Sequence, residues 1–123
     1  MAIQILQAIT QHVNYLAMVR RTIADGVEHS RCCDHHSCKF GTWYDSDGTG
    51  MVNRLATDDI TALWREIGRQ HEAFHAESMA AVEALATDQA KAVALETAMM
   101  QRSTLLVNRL LDLDTLVTRA GVA

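Results

Sequence analysis

A chain of 123 residues, 49% hydrophobic and 21% charged, suits one folded domain spanning residues 1–123 and excludes a disordered segment. Its formal charge of −4, with no basic stripe beyond Arg20-Arg21, removes the electrostatic footprint of a nucleic-acid binder. The most apolar stretch, Leu105 to Val117, is broken by Asn108, Arg109, Asp112 and Asp114, so no run reaches membrane-spanning length.

Proline is absent, which permits long uninterrupted helices, and aromatic residues are only 5%, which favours helix over sheet. The start, Met1-Ala2-Ile3-Gln4, has no positive stretch and no cleavage site. A cytoplasmic location is therefore the default expectation. Cys32, Cys33 and Cys38 crowd into seven positions. An odd, clustered set is a poor disulfide framework and reads as metal ligands or redox-active thiols.

In chain order, the first helix is predicted from Ile3 to Ala24. Its apolar stripe reads Ile5, Ile9, Leu16, Val19 and Ile23, with His12 in the missing step of the 3.6-residue period. Asp25-Gly26 ends it, glycine supplying the left-handed terminal position. Residues 26 to 57 form a long irregular connection that holds four of the six glycines and all three cysteines. A short helix or turn is expected around Gly41 to Tyr44, and Asp45-Ser46-Asp47-Gly48 reads as a turn.

A second long helix is predicted from Asp58 to Ala86, capped by Thr57 or Asp58. Its inner stripe is Ile60, Leu63, Ile67, His71 and Phe74, flanked by Trp64 and His75. Thr87-Asp88 marks a break and a new cap. The last helix runs from Asp88 to Arg119, with Gly121 just past its end. Leu95, Met99, Leu106, Leu110, Leu113 and Val117 give it a broad apolar face, fit for core or for a dimer interface. The fold class expected is all-α: an elongated four-helix-type bundle with a long irregular loop carrying a short helix.

Chemistry-bearing residues fall at matched heights in this arrangement. His71 and His75 are four apart, so both rings lie on one helix face. They sit on the apolar stripe, where an unpaired imidazole is costly to bury and a metal bond would satisfy it. His12 repeats the pattern near the middle of the first helix. Cys38 leads Lys39-Phe40-Gly41-Thr42-Trp43-Tyr44, a segment able to fold over that layer, with Gly41 allowing a sharp turn and Trp43 covering the site. Three imidazoles and one thiolate complete a tetrahedral zinc shell, and zinc is the expected occupant of such a set.

Each piece also has a plainer reading. His12 reads as a satisfied core histidine, His71 and His75 as lying at the stripe's edge, Cys38 as an inert buried thiol, and Trp43 and Trp64 as core anchors. His35-His36 beside Asp34 reads as a solvated loop, and Cys32 and Cys33 are not needed for a closed shell.

Cys38-Lys39-Phe40-Gly41-Thr42-Trp43-Tyr44, together with His12 and the His71/His75 pair, resembles the chemoreceptor zinc-binding domain family. The lead-in Asp34-His35-His36-Ser37 is similar as well. The motifs span roughly residues 5 to 80. Many members have Asp before the first-helix His and an aromatic-Lys pair after it, where this chain has Gln11 and Tyr15-Leu16. The resemblance implies a helical bundle and zinc bound by His12, Cys38, His71 and His75. It also implies a homodimer, in bacterial proteins where the domain accompanies a chemoreceptor or a diguanylate cyclase. The chain has no room for either output domain, and its Met1 start favours a stand-alone member.

The leading functional expectation is a zinc-responsive sensory domain. A closed shell lacks the open position that catalytic zinc keeps, so no enzyme activity is expected. Alternatives are an oxidant sensor acting through the zinc-bound Cys38 thiolate, and a structural-zinc dimerisation module. A di-iron site would need Glu-x-x-His pairs, which Glu72 and Glu77 do not supply.

Overall fold

The computed structural model describes residues 3–26, 34–55 and 57–121. The described residues are helical with no strand. α1 covers Ile3–Asp25, α2 Lys39–Trp43, α3 Thr49–Leu55, α4 Asp58–Ala84 and α5 Gln89–Arg119, and a π-helical turn, Tyr44–Gly48, joins α2 to α3. At 1.5 Å per residue, α4 and α5 are each about 40–46 Å long. They pack along each other as an antiparallel pair, and α1 lies against both.

The ends are set by the local chemistry expected. Gly26 takes φ +71° and returns its amide to the Thr22 carbonyl at 2.9 Å, closing α1. Asp88 caps α5, its carboxylate accepting from the Lys91 amide at 3.1 Å, and Gly121 ends it at φ +82°. Thr57 holds the cap position of α4.

The segment expected as an irregular loop is more regular than that. Asp45–Gly48 is not a turn but the π-helical part of a nearly continuous helical run from Lys39 to Leu55. The hydroxyl of Thr49 donates to the carbonyl of Tyr44, five residues back, and that of Ser46 donates to Thr42. These side-chain bonds brace the wider helical turn.

The core is a heptad-like seam. On α1 the buried positions are Ile5, Ala8, His12, Tyr15, Val19 and Thr22, while Ile9, Leu16 and Ile23 are half-buried at its rim. α4 buries Ile60, Trp64, Ile67, His71, Phe74 and His75, and α5 buries Ala92, Met99, Ser103, Leu106, Leu110, Leu113 and Val117. Outside the seam, Arg102 on α5 donates to Glu77 at 2.9 Å and to Gln70 at 2.8 Å on α4, fixing their register.

Candidate metal centre

The loop ahead of α2 brings Cys38 to the middle of α4. Cys38 is the cap residue of α2, and its Sγ accepts a hydrogen bond from the Gly41 amide at 3.2 Å. Gly41 is required there by close approach: a Cβ would run into the backbone carbonyl of His35. The turn from His35 to Gly41 can therefore tighten only around a residue with no side chain.

Cys38 Sγ lies 3.3 Å from His71 Nε2. His75 is one helical turn further on, its ring centroid 4.6 Å from that of His71. One donor atom from each of Cys38, His71 and His75 falls within 4.8 Å of the others. All three side chains are at least nine-tenths buried. Ligand atoms around a tetrahedral zinc, at ordinary Zn–S and Zn–N lengths, stand roughly 3.3–3.6 Å apart. The donor set fits zinc, and the Cys38–His71 separation already stands at such a spacing.

His12 approaches from α1. It is 1% exposed and lines a cavity of about 200 Å³ shared with Cys38, His71, His75, Tyr15 and Phe40. Its ring meets Phe74 edge-on at 4.6 Å, and its Nε2 lies 2.8 Å from the hydroxyl oxygen of Ser103 on α5. The compact cluster of donor atoms is thus Cys38, His71 and His75, with His12 beside it in the same cavity.

Burial favours the neutral form of His12 and His71. His12 is lowered from 6.5 to about 4, first by desolvation and then by the charge of His75. His71 is lowered to about 2, again by burial first, with His75, His12, His35 and His36 adding repulsion. A neutral imidazole presents a lone pair, which is the form a metal binds.

Other expected site residues take supporting places. Trp43 does not line the cavity. Its ring packs at 5.7 Å from Phe40 and 5.3 Å from Trp64, and its Nε1 donates to Gln4 at 3.1 Å. Phe40 lies against the ligands instead, 4.4 Å from the His71 ring. Tyr44 stacks on Trp64. His36 is exposed and pairs with Asp45 at 2.7 Å, and the His35 ring lies tilted against that of His36, centroids 4.0 Å apart. Cys32 and Cys33 lie outside the described residues.

Ser103 escaped the sequence reading, and Tyr15 was met there only as part of a departure from the family pattern. Ser103 gave no more signal than a lone hydroxyl in the Met99-to-Leu106 stripe. Tyr15 packs its ring 4.7 Å from that of His75, in the position where an aromatic-Lys pair would begin.

The model of the chemoreceptor zinc-binding domain family matches residues 12–82. The chain belongs to that family. No curated protein and no solved structure matches it. The matched segment begins on His12, takes in Cys38, His71 and His75, and stops before α5.

Proposed function

We propose that this chain is a zinc-responsive regulatory domain in which His12, Cys38, His71 and His75 hold one zinc ion and occupancy is the signal. The observation that carries this reading is the buried cluster of Cys38, His71 and His75 donors within 4.8 Å. Zinc would supply a cross-link between α1, the loop ahead of α2, and α4. Neutral imidazoles and a sulfur already accepting an amide hydrogen are the forms those ligands need. Two conformations that bind zinc differently shift in population when it binds.

Four protein ligands leave no open position, so the domain is proposed to bind rather than catalyse. No helix among the described residues is long and apolar enough to cross a membrane. A cytoplasmic homodimer is the proposed form, supported by the exposed apolar side chains Ile3, Leu6 and Val13 along α1. The proposed reader is a signalling protein of a chemoreceptor or diguanylate cyclase pathway.

A second reading, oxidant sensing at Cys38, is favoured by one feature: the cavity that Cys38 lines is also lined by the exposed residues Asn14 and Lys39. A zinc-bound thiolate reached by an oxidant would release the metal.

The test is metal analysis of the purified protein with competitive zinc titration. One zinc per chain, removed reversibly by a chelator to leave a folded helical protein, supports an occupancy sensor. Zinc that leaves only on unfolding assigns a structural site. Absence of zinc binding rejects the reading.

A further inference from the structure

Ser103 stands out on the buried face of α5. Its neighbours along that stripe, Met99, Leu106, Leu110, Leu113 and Val117, are fully buried hydrocarbon. A hydroxyl in such a setting is costly unless bonded. Elsewhere in these helices Thr10, Ser78, Thr97 and Thr104 satisfy their hydroxyls on the carbonyl four residues back. Ser103 Oγ instead reaches across the helix interface to His12 Nε2 at 2.8 Å, joining residues 91 apart in sequence. Both side chains are buried, at 4% and 1% exposure, so solvent does not compete for the bond.

We infer that Ser103 is a positioning residue for His12, accepting a hydrogen bond from Nε2–H so that Nδ1 is the nitrogen offered to zinc. This rests on the zinc reading above. A neutral imidazole has one N–H and one lone pair, on different nitrogens. A serine hydroxyl can donate or accept; in the accepting role inferred here it keeps the proton on Nε2, leaves the lone pair on Nδ1, and restrains the ring. The same bond makes α5 part of the metal site, although α5 contributes no ligand. Through it, any turn of His12 toward or away from the metal is felt on the last helix.

The test uses the full chain. Zinc affinity is measured by chelator competition for wild type, Ser103→Ala and Ser103→Thr, and long-range proton–nitrogen NMR of the zinc-loaded wild type reads the His12 tautomer. Ser103→Ala is expected to bind zinc about 10–100-fold more weakly, as loss of a partner behind a ligating His generally does. Ser103→Thr, which keeps the hydroxyl, is expected to recover most of that loss. The NMR pattern expected is protonated Nε2 with metal-bound Nδ1. Wild-type affinity in Ser103→Ala, or a metal-bound Nε2 on His12, overturns the inference while leaving the zinc reading intact. A wild type that takes up no zinc overturns both. If Ser103→Ala does not fold, the wild-type tautomer alone decides.

Discussion

Tyr44 lies flat on Trp64, their ring centroids 4.1 Å apart and their planes 8° from parallel, and the Tyr44 hydroxyl donates to the Trp64 backbone carbonyl at 2.7 Å. This pair clamps the π-helical turn to α4. It also explains Gly68: a Cβ there would strike the Tyr44 hydroxyl. Tyr44→Phe is expected to cost about 1 kcal/mol, the usual worth of one such bond. Gly68→Ala should cost about 1–3 kcal/mol through overpacking. The two changes touch the same contact, so the double variant should lose less than their sum. Urea denaturation of the three variants checks this.

Gly41→Ala drives a Cβ into the His35 carbonyl, a backbone atom with little freedom to move aside. The expected cost is about 1–3 kcal/mol of stability in the metal-free protein. Because Gly41 also donates to the Cys38 sulfur, zinc affinity should fall as well. Unchanged stability would mean that the loop has room to spare.

Removing a ligand separates metal binding from packing. Cys38→Ala and His71→Ala are expected to weaken zinc binding by more than about a hundredfold, beyond the loss typical of a supporting residue. Their melting temperatures should fall well below wild type with zinc present and lie close to it in chelator. Equal losses in both conditions would show that these side chains serve packing alone.

The pH dependence has a definite sign. His12 is held at about 4 in the folded chain against 6.5 in the open chain. Between those values the unfolded state binds more protons, so stability falls as pH falls. The metal-free protein should be at full His12-linked stability above pH 6.5 and lose on the order of 3 kcal/mol by about pH 4. His71, lowered further, extends the loss toward lower pH. Chemical denaturation of chelated protein across this range tests it, and His12→Gln should flatten the upper part of the curve.

The bundle and the buried imidazoles were legible because the histidines interrupt an apolar pattern. His12 fills a gap in an apolar period, and His71 and His75 occupy stripe positions on α4, so burial of an imidazole could be read from spacing alone. The seam itself is less simple: Ala8, Tyr15 and Thr22 are buried while Ile9, Leu16 and Ile23 sit at its rim, since α1 faces two helices at once. Asp45-Ser46-Asp47-Gly48 has turn composition, and its helical state depends on hydroxyl bonds from Ser46 and Thr49 that composition does not encode. Ser103 was hidden for a related reason. A helical serine ordinarily bonds its own preceding turn, and only tertiary packing sends its oxygen to another helix.

The bond between His12 and Ser103 joins the first long helix of the chain to the last. A chain released from the ribosome as far as residue 82 already holds Cys38, His71 and His75, the whole of the matched family segment. It lacks the hydrocarbon face of α5, the Arg102 tie to Glu77, and the oxygen that holds His12. On the proposed reading, the imidazole of the first helix made is set only once the last helix has packed, so a residue that supplies no ligand would complete the site.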